Sequence, residues 1–254
     1  VGFYFILEKP MSDIGFNPYV VLISGKSGTG KSSSLEGLTN HEKVLYLNCE
    51  NGRALPFKSG FKEVTITHPE QVITYLTKAT DNDKFETIVI DSITYLMDMY
   101  ESKVVLTSSN VQKSWGGYSQ FFKRLMHAVA NCNKQIIFTA HTYSQYNESS
   151  QEFETSIPVK GALAKNGIES YFSVVVSPKK EKTGKLEDYQ SDLLTITEDE
   201  EDLGFKHVIQ TRVTKDTVNE RIKTPKNMFS RNETFIDGSI QLILDRLKVY
   251  YDKS

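Results

Sequence analysis

The chain of 254 residues is poor in everything that would build a disulfide scaffold, a zinc module or a membrane span. Its two cysteines, Cys49 and Cys132, sit in apolar surroundings and cannot form a disulfide framework or a cysteine metal cluster. Each reads as a small buried hydrophobe. Five scattered histidines show no zinc-ligand spacing. No run of about 18 apolar residues occurs, so no spanning helix and no membrane partner are expected. The apolar start, Val1 to Lys9, lacks a basic leader and a small-residue cleavage site; it is expected to be a strand, not a signal peptide. A net charge of −2 gives no global basic footprint, so any nucleic-acid contact needs a local basic face.

What remains, with 39% apolar and 24% charged residues, is an ordinary globular composition, long enough for one sizeable α/β domain or two small ones. Apolar runs at Tyr19–Ile23, Val44–Leu47, Val64–Ile66, Thr87–Ile90 and Gln135–Thr139 are continuous and not alternating, as buried parallel strands are. Helical segments fall between them. Pro69 opens one ahead of Gln71–Lys78, Ser92–Leu106 forms another, and Tyr118–Asn131 carries Phe121, Phe122, Leu125, Met126 and Val129 at helical spacing. Residues 144–170 read as a long polar loop, functional or disordered. Phe172–Val176, Leu193–Thr197 and Lys206–Val213 read as antiparallel strands added at one sheet edge. The charge runs Lys179–Lys185 and Glu198–Asp202 are expected as solvated hairpin turns, and Ile240–Tyr251 as a terminal amphipathic helix. One domain over 1–254 is expected, with a core at about 18–177 and the added strands and helix at about 178–254.

Residues Gly25, Lys26, Ser27, Gly28, Thr29, Gly30, Lys31 and Ser32 spell a complete phosphate-binding loop directly after the first apolar run. Such a loop needs a strand before it and a helix after it, so that backbone N–H groups converge on one anion. Here Lys31 would reach the β- and γ-phosphates of a nucleoside triphosphate, Ser32 would ligate Mg²⁺, and Ser33 completes the nucleotide-binding set. Asp91 ends the Thr87–Ile90 strand, where such enzymes place the acid that binds the metal beside the loop serine. Ser92 follows it, so the usual second acid is missing there. Glu50, past the carboxyl end of the second strand, is the candidate to orient or deprotonate the attacking water; the alternative is a solvated turn residue. His141, after the fifth strand, is either a γ-phosphate sensor or a structural residue.

Taken together, the phosphate loop, the acid after the second strand, Asp91-Ser-Ile-Thr94 and a polar residue entering a long loop resemble the RecA-type ATPase core over nearly the whole chain. With Ser114-Trp-Gly-Gly-Tyr118 and Arg221-Ile-Lys-Thr-Pro225 added, the chain most resembles phage-encoded RecA-like single-strand annealing and recombination ATPases. The resemblance implies a RecA-like P-loop NTPase fold, hydrolysis of ATP with Mg²⁺, self-association into a ring or filament, and single-stranded DNA as partner. A single-strand-binding protein or a helicase is a further partner it allows, in the cytoplasm of a phage-infected bacterial host. It assigns water activation to Glu50, with Lys31 and His141 beside it. His141 stands where that family often has Gln. A competing resemblance is to dimeric partitioning-type ATPases, through the second lysine, Lys26; Ser27 departs from their pattern.

Two loops are candidates for DNA: Thr107–Gly117, with Lys113 and Trp115, and Tyr143–Ser170, with Lys160 and Lys165. Lysines would meet phosphates and Trp115 would stack on a base, or Trp115 anchors its loop to the core. Glu148–Glu154 is acidic, which confines any DNA contact on the second loop to residues 158–167. The resemblance to RecA-like assemblies also implies Arg212 and Lys215 as candidates to act on a neighbouring subunit's γ-phosphate; the alternative for either is a surface ion pair. A motor or loader acting on a protein, and a nucleotide switch with little turnover, are the alternative functions.

Overall fold

Four of the five apolar runs, those at 19–23, 44–47, 87–90 and 135–139, become strands covered on both sides, while the run at 64–66 falls at an exposed sheet edge. The computed structural model describes residues 16–148 and 151–251, with the side chain of Asn166 excepted; the strand expected at Val1 to Lys9 lies outside them. In chain order the strands are β1 (Val20–Gly25), β2 (Val44–Asn48), β3 (Lys62–Thr65), β4 (Thr87–Asp91), β5 (Gln135–His141), β6 (Tyr143–Asn147), β7 (Glu152–Ser156), β8 (Val174–Lys182), β9 (Phe205–Gln210) and β10 (Phe235–Asp237). The α-helices are α1 (Glu70–Thr80), α2 (Ile93–Tyr100), α3 (Val111–Asn131), α4 (Ala162–Asn166), α5 (Thr183–Leu186), α6 (Glu198–Leu203) and α7 (Gln241–Tyr251).

Eight strands make one sheet in the order β10-β9-β8-β1-β5-β4-β2-β3. From β8 to β3 every pairing is parallel, and β9 and β10 extend the β8 edge antiparallel. This is the mostly parallel α/β sheet with an antiparallel extension that the sequence predicts. Side chains alternate across it: Leu22, Ile88, Ile90 and Phe138 pack on one face with Leu76, Leu96, Phe121 and Phe122 of α1, α2 and α3. Val21, Ile23, Val89 and Ile137 pack on the other with Ile243, Leu244 and Leu247 of α7. Each such side chain contributes about 1.5–3 kcal/mol by leaving water. Among the described residues no helix is long and apolar enough to cross a membrane.

Several expectations are corrected. The strand at Phe172–Val176 is not antiparallel: Val174–Val176 pair parallel with β1, and the same strand continues from Ser177 to Lys182 antiparallel to β9. The division at residues 177 and 178 therefore falls inside one strand. Leu193–Thr197 forms no ladder. Its backbone meets the end of β10 through Asp237 N–H to the Leu193 carbonyl and Thr195 N–H to the Asp237 carboxylate. Leu194 and Ile196 pack against Leu186, Val208 and Phe235 instead. Neither charge run is a hairpin turn. Lys179–Lys182 lie in β8, while Thr197 and Glu200 form a capping box that starts α6, with acids filling its first turn where the helix dipole favours them.

The two expected loops also have structure. Residues 143–147 and 152–156 pair as the β6–β7 hairpin, with Tyr146 against Phe153 and Ser144 against Thr155 across the strands. Of the first loop, residues 111–117 are the opening turns of α3, capped by the Asn110 side chain, which accepts from Lys113 N–H. Two adjacent glycines disfavour helix there. Gly117 is closely packed: a Cβ would lie 2.9 Å from the Tyr100 hydroxyl oxygen, so the Tyr100 side chain would have to shift.

Candidate functional site

Strand register assembles the site at the carboxyl ends of the parallel strands. Gly25 of β1 pairs with His141 of β5, and Asn48 of β2 pairs with Asp91 of β4. The phosphate loop, Glu50, Asp91 and His141, drawn from four strand ends, therefore line one cavity of about 420 Å³.

The loop holds its shape through its own bonds. Gly28 (φ 78°) and Gly30 (φ 101°) take conformations that residues with a Cβ rarely adopt. The Thr29 hydroxyl donates to the Lys26 carbonyl at 2.9 Å. Lys31 is 6% exposed, and its ammonium donates to the carbonyls of Gly25 (3.0 Å) and Lys26 (2.8 Å). Burial lowers its pKa, and the nearby carboxylates of Asp91 and Glu50 oppose that shift. One expectation fails: the segment after the loop is not a full helix but a single 3₁₀ turn, Ser33–Gly37. Only six residues separate its end from β2, and the chain turns through Asn40 (φ 52°) to enter that strand.

Asp91 is buried and bonded on both oxygens. Its Oδ2 accepts from the Tyr46 hydroxyl at 2.7 Å and from Ser32 Oγ at 3.2 Å, and its Oδ1 accepts from the Thr139 hydroxyl. A carboxylate and a serine hydroxyl in contact are the hard oxygen pair that suits Mg²⁺. Among the described residues no group of three or more His, Cys, Asp or Glu could hold a metal unaided. When bound, the ion would neutralise charge on the β- and γ-phosphates.

Glu50 is set past β2 by its backbone N–H, which donates to Asn48 Oδ1 at 3.0 Å. Its side chain is 10% exposed, with Oε1 3.0 Å from His141 Nε2 and Oε2 3.8 Å from Arg53. A carboxylate only accepts, so Nε2 carries the proton of that bond. The His141 hydrogen bond is the largest influence on the Glu50 pKa; with Ser92 and Arg53 it outweighs burial and lowers the pKa below the ordinary value. His141 is fixed in turn by its N–H to Thr94 Oγ1 (2.9 Å) and by the edge of the Tyr95 ring.

The sequence reading missed three parts of this cavity and one buried partner of Asp91, Thr139. Tyr46 hides in an apolar strand, where a hydroxyl among aliphatic neighbours was the available signal. Thr139 hides in β5 in the same way. Arg53, Ala54, Leu55 and Pro56 follow Glu50 and wall the cavity, the last three with apolar surface. His207 comes from β9, with Nδ1 3.4 Å from the Thr29 carbonyl oxygen. No local motif announces it.

The remaining candidates lie elsewhere on the surface. Lys113 is exposed in the first turn of α3, and Trp115 is half-buried against the core beside Tyr118. The ammonium of Lys160 is bound to the Glu101 carboxylate (2.5 and 2.7 Å), and Lys165 is exposed on α4. Arg212 donates to the Phe229 carbonyl, and Lys215 is exposed in a short 3₁₀ turn.

No curated protein matches the chain. A family model described as an AAA domain matches residues 17–219, a span that runs from just before β1 past β9 and holds every cavity residue named above. On that match, over most of its length, the chain belongs to the AAA-domain family of P-loop nucleotide-binding proteins.

Proposed function

We propose that the protein is a Mg²⁺-dependent ATPase of the RecA-like kind. The observation that carries this reading is the Glu50 carboxylate, held ionised by His141 in the same cavity as the phosphate loop. In this reading the loop amides and Lys31 bind the phosphates, Ser32 and Asp91 hold the metal, and Glu50 orients and deprotonates the attacking water. His141 keeps Glu50 aimed. Leu55 and Pro56 offer apolar surface to the nucleobase. Glu50→Gln keeps the shape and removes the base, so turnover should fall by about 10²–10⁴-fold in a steady-state phosphate-release assay. Unchanged turnover would exclude Glu50 from the chemistry, and no turnover in the unmodified protein would leave a nucleotide switch.

The biological role proposed is phage DNA recombination or single-strand annealing, with single-stranded DNA bound in an ATP-dependent way. Lys113 and Lys165, both exposed, support it. Hydrolysis and mass are to be measured with and without an oligonucleotide and a nonhydrolysable ATP analogue. Stimulation accompanied by assembly is the expected result. A second reading, a motor or loader acting on a protein, has its own support: Lys160 is already paired with Glu101, and the β6–β7 hairpin is acidic. Absence of any response to the oligonucleotide would favour it.

A further inference from the structure

We propose that Tyr46 is a positioning residue, coupling the segment that walls the nucleotide cavity to the carboxylate that would hold the metal. This rests on the reading of the cavity as a metal–nucleotide site. Tyr46 lies on β2 opposite Val89 of β4, and Asp91 is two residues further along that strand. Side chains at i and i+2 of a strand share a face, so the phenol reaches diagonally to Asp91. Its ring is 2% exposed and its hydroxyl donates to Asp91 Oδ2 at 2.7 Å, the oxygen that Ser32 also contacts.

The other side of the same ring faces the cavity wall. The Phe61 ring lies 6.2 Å from Tyr46 between centroids, and Phe57 lies 5.8 Å from Phe61. His41 closes the group, 4.7 Å from Phe61. Phe57 and Phe61 pack against the core cluster that contains Tyr46, anchoring the far end of the segment whose Arg53, Leu55 and Pro56 line the cavity. One side chain thus touches both the metal-binding acid and the anchor of the opposite wall. A displacement of Phe57 and Phe61 moves the Tyr46 ring, and with it the donor that sets the Asp91 rotamer. Thr139 holds the other carboxylate oxygen, so Asp91 has no free direction to turn while both hydroxyls stay in place.

The test uses the full chain and a fluorescent ATP analogue, with affinity measured in EDTA and through a Mg²⁺ titration. Outer-shell partners of a metal ligand typically change metal affinity by 10–100-fold. Tyr46→Phe keeps the ring and removes the hydroxyl, so the Mg²⁺ midpoint should rise by about 10-fold or more and the ratio of affinities with and without Mg²⁺ should collapse. Phe61→Leu leaves the hydroxyl and loosens the anchor; it should raise the same midpoint by a smaller factor. Equal loss with and without Mg²⁺ in Tyr46→Phe would mean that the residue only shapes the cavity, and would overturn the proposal. An unchanged midpoint in Phe61→Leu would overturn the coupling. If the unmodified protein binds no analogue at any Mg²⁺ concentration, the site reading fails instead, and the two failures are distinguishable.

Discussion

Two segments leave neighbouring strands at the same end of the sheet and meet opposite fates. The phosphate loop leaves β1 and folds back on itself, its lysine buried on its own carbonyls. The β6–β7 hairpin leaves β5 two residues after its last pairing with β1, and Tyr143, Tyr146 and Phe153 stand 43%, 49% and 64% exposed. The roots are stitched together, since Thr142 N–H donates to the Gly25 carbonyl. What separates the two is what lies beneath. The loop rests on a strand buried on both faces, whereas the hairpin is a two-stranded unit outside the main sheet. Such a unit has marginal stability of its own. The rigid half suits phosphate binding, which needs preorganised amides; the open half leaves three aromatic side chains in solvent.

The largest effect expected from this contrast falls under the loop. Leu22 is fully buried in β1, three residues before Gly25. Leu22→Ala removes its packing and leaves a cavity, at a cost of about 2–5 kcal/mol in urea unfolding. A loss below about 1 kcal/mol would show that the strand is not the rigid base argued for here.

A second effect falls where the two segments meet. His141 is the end of β5, one residue short of the hairpin, and its hydrogen bond is the leading reason that the Glu50 pKa is lowered. Removing it in His141→Ala raises that pKa. In the proposed hydrolysis Glu50 must be ionised to act as base, so the acid limb of the profile should move to higher pH while the alkaline limb stays in place. The check is kcat measured from acid to alkaline pH for both proteins. A shift to lower pH, or none, would detach Glu50 from His141.

The same contrast explains what could be read from the chain. The phosphate loop was legible because its glycines and lysine dictate a local backbone, and Asp91, Glu50 and His141 because strand ends are visible as ends of apolar runs. Tyr46, Thr139 and His207 were not, because each acts through a partner 45, 48 or 178 residues away in sequence. The hairpin read as a loop because its strands are exposed on both faces and carry no alternating burial signal. The start of α3 was lost at Gly116-Gly117, where packing on Tyr100 overrides helix propensity. Leu193–Thr197 erred the other way: its apolar residues cover a small cluster, and its backbone finds no ladder.

The smallest effect belongs to the hairpin itself. Tyr146 and Phe153 face each other at 5.3 Å across β6 and β7, an aromatic pair worth about 0.2–1 kcal/mol to the hairpin alone. Because the hairpin packs little on the core, Phe153→Ser should change global stability by no more than about 0.5 kcal/mol. Hydrogen exchange should nevertheless speed up at residues 143–147 and 152–156 and stay unchanged in β1 and β5, since locally exposed elements open independently of the core. A global loss comparable to that of Leu22→Ala would mean that the hairpin is integral to the fold, and its exposed aromatics would then need a structural explanation in place of a partner.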